Sequence, residues 1–318
     1  MTSQGHLWVD GTVVPYSLAT THLLSHALHY GTSVFEGMRF YGGRPFALEE
    51  HNRRLVESAL SLDMALPWSV EQLNHATSEL IQCSGLQDGY VRTLAWVGPS
   101  RIVVGTRGVT PQVSIACWQW PNYFEATDAK AGSRGIRVCL SKWSRPAPHT
   151  APVHCKGAGN YVIGTLARNE AERRGYDDAI LLTYDGRLAE ATGANLFLAI
   201  HGVLHTPRAD CFLSGITRKT VIRLAHARGI TVVERDISPA ELMSAQEVFL
   251  TGTAVEVQRV AEVEDYFYEA SAITDSLAGD YAREVRCPTT GSTHLGILSS
   301  PAASRASISD SAQVQSSQ

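Results

Sequence analysis

Basic residues are not in excess. The chain sets 27 lysines and arginines against 31 aspartates and glutamates, a formal charge of -4. That leaves no polybasic footprint for nucleic acid. Cysteine is sparse and scattered: Cys83, Cys117, Cys139, Cys155, Cys211 and Cys287 include no C-x-x-C pair, so neither a zinc site nor a redox dithiol is indicated. No apolar run approaches the roughly 18 residues that a membrane span needs. The opening stretch "MTSQGHLWVDGTVVPY" lacks a basic n-region and an apolar h-region, so no secretion signal is expected. These absences predict a cytoplasmic chain with reduced thiols. What is present is ordinary globular composition, 44% hydrophobic and 18% charged, over 318 residues, enough for two domains with a large core.

Turn chemistry divides the chain. "HLWVDGTVVP" reads as a hairpin about Asp10-Gly11, and "GMRFYGGRPFAL" as another about Gly42-Gly43. "EEHNRRLVESALSLDM" has helical spacing of Leu55, Ala59 and Leu60, and "YVRTLAWVG" and "VSIACWQW" read as strands. Strands and helices mix without regular β-α-β alternation, which points to α+β architecture. Residues 127–135 make a small, polar linker between a first unit, 1–126, and a second, 136–286. In the second unit Asn160 to Arg174 reads as a helix with Val162, Ile163, Leu166, Ala167 and Ala171 on one face and Gly175 beyond its end. Hairpins follow about Asp185-Gly186 and His201-Gly202, then a helix "GITRKTVIRLAHARG", a capping box at Ser238 and Glu241, and a strand-turn-strand "EVFLTGTAVEV". Residues 287–318 are rich in Ser, Ala, Thr and Gly, the composition of a disordered tail.

Within "HCKGAGNY" a single lysine, Lys156, precedes two glycines. A Walker A loop would place the lysine after its glycines, and a dinucleotide fingerprint fails because Val162 occupies the last glycine position. A lone lysine in a loop is most often solvated surface. Other features give it partners. Glu190 lies at a strand end in "RLAEATGANLF". Gly215, Ile216 and Thr217 open a helix, a natural phosphate seat. "TGTA", residues 251–254, offers a second turn with free N–H groups. A lysine for a Schiff base, an acid for a ring nitrogen and a phosphate cup are what pyridoxal phosphate needs.

The stretches "HALHYGTSVFEGMR", "HNRRL", "YVR", "KGAGNY", "LAEATGANLF", "LSGITR" and "TGTAVE" occur in this order from about residue 5 to residue 262. Together they resemble the fold-type IV pyridoxal-phosphate enzymes, and among them the branched-chain amino-acid aminotransferases. The resemblance implies a two-domain α+β fold with pyridoxal 5'-phosphate in the interdomain cleft. It makes Lys156 the cofactor lysine, Glu190 the acid at the pyridine nitrogen, and Tyr161 the tyrosine near the phenolic oxygen. It assigns Arg54, Ile216, Thr217 and Thr253 to the phosphate, with Arg53 as a neighbour on a solvated face, and Asn195 to support of the loop.

The same resemblance implies a substrate seat. The N–H groups of Thr253 and Ala254, with Tyr90, match the α-carboxylate site. Tyr30, Phe35, Trp120 and Tyr123 match an apolar pocket beside Gly37, while Arg92 with Tyr30 and Tyr123 would meet the distal carboxylate of glutamate. Plain core packing is the competing reading for each aromatic. The implied activity is transamination of a branched-chain or related hydrophobic L-amino acid with 2-oxoglutarate in a homodimer or higher homo-oligomer. An aminodeoxychorismate lyase, a D-amino-acid or amine transaminase, and a non-catalytic binding protein stand as alternatives. Ala194, Val255, "RTL", residues 98–108 and "VEDYFYEA" depart from the family pattern and bear on the preferred amino acid. His22, His26 and His29 fall at i, i+4 and i+7, a metal-like spacing without an acidic or cysteine partner, so no metal is expected. Cys155 is read as a small packer rather than a redox switch.

Overall fold

A computed structural model describes residues 5–120 and 135–287. Tyr123, the tail 288–318 and the linker apart from Gly135 lie outside the described residues. Met1–Cys287 forms one compact unit built on two sheets.

The first sheet is antiparallel, in the order β2-β1-β6-β5-β3-β4. Its strands are β1 (His6–Val9), β2 (Thr12–Pro15), β3 (Ser33–Tyr41), β4 (Arg44–Pro45), β5 (Gly89–Trp96) and β6 (Gln112–Trp118). Short helix α1 (His26–Tyr30) precedes β3; α2 (Leu48–Leu60) and α3 (Val70–Ser84) cover one face. Strand periodicity sorts β3. Val34, Met38 and Phe40 enter the core with Leu55 and Ala59 of α2, while Phe35, Gly37 and Arg39 point the opposite way. Directly across on β5, Arg92 faces Gly37 and Tyr90 faces Arg39, so these four share one face.

The second sheet has nine strands: β7 (Ile136–Ser144), β8 (Asp178–Leu182), β9 (Leu188–Ala191), β10 (Asn195–Ile200), β11 (Val203–Pro207), β12 (Val232–Arg235), β13 (Glu247–Gly252), β14 (Glu256–Val263) and β15 (Tyr266–Phe267). Its order runs β12-β11-β10-β13-β14-β7-β8-β9, and an added pairing of Asn195 with Glu190 joins β9 to β10. The run from β10 round to β9 therefore closes on itself, and Ile136, Val138, Ile180, Leu196, Leu250 and Val260 fill one apolar cluster. Helices α4 (Tyr161–Arg173), α5 (Ile216–Ala227) and α6 (Ala272–Arg286) pack outside.

The expected hairpins form at all four turns. The capping box at Ser238 and Glu241 forms too, opening a 3-10 helix. The predicted face of α4 is corrected: Ala167 and Ala171 are buried and Ile163 packs beside them, but Val162 is 58% and Leu166 39% exposed. The inner stripe runs instead through Gly164, whose absent side chain lets α4 approach the Thr192 carbonyl, 2.9 Å from where a Cβ would stand. Sequence reasoning misses α3 and α6.

Candidate active site

A cavity of about 380 Å³ opens between the two sheets, within the size range of small-molecule sites. Lys156 reaches it from the loop before α4. Its backbone is fixed to β3 and α2: the Phe35 N–H donates to the Lys156 carbonyl at 3.1 Å, and the Lys156 N–H donates to Ser58 Oγ at 3.1 Å. The side chain passes over the Phe35 ring, 5.1 Å from its centroid, and Nζ donates to the Tyr161 hydroxyl at 2.9 Å. Tyr161 opens α4 and packs edge-on against Phe35.

Glu190 sits where β9 meets β10. Arg145 Nη2 stands 2.9 Å from one oxygen, and Asn195 Nδ2 donates to the other at 3.2 Å. Burial pushes the Glu190 carboxyl up to about 6, although Arg145 and Lys156 pull it down. Asn195 also donates to the Leu213 carbonyl and accepts the Gly215 N–H at 3.0 Å. It thereby ties the acid to the start of α5. Gly215 is required there, because a Cβ would lie 2.3 Å from Asn195 Oδ1.

No side chain caps α5, so Ile216 and Thr217 present helix N-terminal N–H groups to the cavity. Buried polar atoms without a hydrogen-bond partner lie on several cavity-lining residues, among them Arg54 Nη1 and Thr251 Oγ1 as well as Arg92 Nε and Arg145 Nε. Uncapped N–H groups beside a buried, incompletely used guanidinium suit a phosphate. Arg53, the neighbour, pairs with Glu49 on the exposed side of α2. With an amine at Lys156 and a buried carboxylate at Glu190, the donor set fits pyridoxal 5'-phosphate.

The Thr253-Ala254 turn lines the cavity beside Tyr90. Arg39 Nε and Nη2 hold the Thr253 and Ala254 carbonyls at 3.0 and 2.9 Å. Arg92 lies 4.6 Å over Phe35, and Trp120 meets Tyr90 edge-on at 4.4 Å. Gly37 makes room for Tyr90, since a Cβ would fall 1.8 Å from its hydroxyl oxygen. Tyr30 is not brought to this cavity. It ends α1, 41% exposed, against the His26 ring.

The histidines hold loops: His26 contacts Thr32 and the Val103 carbonyl, His29 the Leu23 carbonyl, and His22 the Leu24 N–H. Burial pushes the Cys155 thiol up to about 11, and its Sγ rests on the Ser58 carbonyl. Sequence reasoning missed Arg145, Arg39, Ser58, Thr251, Glu36 and His51. A signal existed for part of this set: His51 and Ser58 stand three residues before and four after Arg54 on α2.

A model of the family described as amino-transferase class IV matches residues 33–263. A protein of Rickettsia bellii named probable branched-chain-amino-acid aminotransferase is 38% identical over 286 residues, covering 88% of this chain and 96% of that protein. The branched-chain-amino-acid aminotransferase of Escherichia coli is 39% identical over 265 residues, covering 81% and 85%. The crystal structure of the branched-chain amino acid aminotransferase from Thermobaculum terrenum, in its PLP-bound holo-form, superposes with a TM-score of 0.81 at 30% identity, covering 89% of this chain and 94% of that one.

Proposed function

The chain belongs to the class IV aminotransferase family, and from that premise we propose that it moves the amino group of a branched-chain L-amino acid to 2-oxoglutarate. Pyridoxal 5'-phosphate, when bound, supplies an electrophilic carbon and an electron-withdrawing ring. Lys156, Glu190 and the α5 N-terminus facing one cavity are the observation that carries the reading.

Lys156 Nζ removes the proton from Cα of the amino donor and, in the second half-reaction, delivers one to Cα of the acceptor; Tyr161 accepts its hydrogen bond and keeps the amine over Phe35. Glu190 offers a ring N–H a buried carboxylate, and Arg145 favours its ionised form. Arg54, the Ile216 and Thr217 N–H groups and the Thr217 and Thr253 hydroxyls hold the phosphate, with Asn195 bracing the loop. The Thr253 and Ala254 N–H groups and Tyr90 take the α-carboxylate. Phe35 and Trp120, beside Gly37, receive an apolar side chain, while Arg92 serves the distal carboxylate of glutamate. Tyr123 joins that pocket as the family pattern implies, and Tyr30 would enter the pocket of a second copy of the chain.

The reading extends to two domains, 1–126 and 136–286, joined at 127–135, and to a cytoplasmic homodimer. Among the described residues no helix is long and apolar enough to cross a membrane. The test is spectroscopic. L-leucine should convert the yellow holoenzyme to its pyridoxamine form, 2-oxoglutarate should restore it, and Lys156→Ala should abolish both changes. Turnover by the Lys156→Ala protein would sink the mechanism.

A further inference from the structure

We propose that Glu36 and His51 are positioning residues that aim Arg54 at the cofactor phosphate, a role that rests on the function proposed above. Glu36 lies on the core side of β3, fully buried beside Val34 and Met38. A charge there is tolerated only with complete pairing. Its carboxylate receives Arg54 Nε at 2.6 Å, Arg54 Nη2 at 2.9 Å, His51 Nδ1 at 2.7 Å and the Gly37 N–H at 3.1 Å. Burial alone would raise its pKa, but Arg54 and His51 hold it well below the usual carboxylate range.

The guanidinium is a rigid planar fork. Gripping its Nε–Nη2 edge fixes the direction of the remaining nitrogen, Nη1. That atom is buried and without a hydrogen-bond partner, on a residue that lines the cavity with Ile216 and Thr217. His51 closes the arrangement from α2, one turn before Arg54. Burial lowers the imidazole pKa, so it serves as a neutral donor through Nδ1. One turn after Arg54, Ser58 Oγ holds the Lys156 N–H. A single stripe of α2 thus sets both the phosphate arginine and the backbone of the lysine.

A carboxylate present only for stability would leave recognition of the phosphate unchanged when altered. The full-length chain, resolved from cofactor, is titrated with pyridoxal 5'-phosphate and with phosphate-free pyridoxal while tryptophan fluorescence is followed. The phosphorus-31 resonance of the bound phosphate is recorded for each reconstituted protein. Glu36→Gln and His51→Leu should weaken the phosphorylated form about tenfold or more, the scale on which outer partners act on the groups they orient. Affinity for pyridoxal should stay within about twofold, because the lysine and acid that hold its ring are intact. His51→Asn, whose amide can donate from nearly the same place, should recover most of the loss and the native resonance. Equal weakening of both ligands, or unchanged preference for the phosphorylated form in Glu36→Gln and His51→Leu, would overturn the proposal. If Glu36→Gln does not fold, the His51 pair decides alone. A wild-type protein with no preference between the two ligands would instead sink the phosphate seat itself.

Discussion

Glu190 has to carry charge while buried. Burial raises its carboxyl from an ordinary 4.5 to about 6, against the pull of Arg145 and Lys156. For the cofactor-free protein the sign follows directly. A folded-state value above the unfolded one means that the folded chain holds the proton more tightly. Glu190 therefore contributes stability below about pH 4.5 that is lost as pH rises through 6, approaching ~2 kcal/mol. Measured against Glu190→Gln, the wild type should lose unfolding free energy between those values. A difference that rises with pH would mean that Arg145 outweighs burial. At Gly37 the constraint is steric. A methyl group there would meet the Tyr90 hydroxyl, and Tyr90 is boxed by Trp118 and Trp120. Gly37→Ala should cost ~1–3 kcal/mol of stability by overpacking and raise KM for the amino donor. Its cofactor absorbance should persist, because neither Lys156 nor Glu190 is touched.

The 251–255 turn shows how one element serves another. Its carbonyls at 253 and 254 are drawn to Arg39 on β3, which leaves the opposing N–H groups for a carboxylate. Arg39→Met should raise KM for both amino and oxo acids by about tenfold, as for a lost charge-assisted hydrogen bond, with kcat nearly unchanged; an equal fall in kcat would place Arg39 in the chemistry instead. Local elements of this kind were legible because their chemistry is local. Asp10-Gly11, Gly42-Gly43 and His201-Gly202 all take positive φ, the requirement of a tight hairpin turn that Gly and Asp announce in the sequence. Lys156, Glu190 and the α5 start were legible for the same reason, each marked by its own turn or cap. Arg145 was not, because its meeting with Glu190 depends on how β7 and β8 pair in parallel around α4. No spacing encodes that contact. The closure of β9 on β10 and the inner stripe of α4 are likewise tertiary choices, and the apolar count on α4 named Val162 and Leu166 where Gly164 decides the approach.

Among the described residues, an apolar surface around α1 is left uncovered by the chain's own packing. Leu18, Leu23, Leu24 and Leu28, around α1, and Ile102, Val103 and Val104 are all exposed, Leu23 by 80% and Val104 by 77%. These segments are joined: the His26 and Ala27 N–H groups donate to the Gly98 and Val97 carbonyls, and His26 Nε2 bonds the Val103 carbonyl. A joined apolar surface of this kind marks an interaction site rather than a solvent face. Tyr30 stands at its edge, away from the cavity of its own chain, whereas Arg92 is already in place. A second copy of the chain would cover the leucines and give Tyr30 a pocket to enter. The protein should therefore sediment as a homodimer or larger at micromolar concentration. Leu23→Glu with Val104→Glu should shift it toward monomer, because each buries a charge that the interface cannot pair. Tyr30→Phe should leave the assembly intact and raise KM for glutamate more than for leucine, since only the distal carboxylate needs the hydroxyl. A wild-type monomer with full activity on glutamate would refute the shared pocket outright.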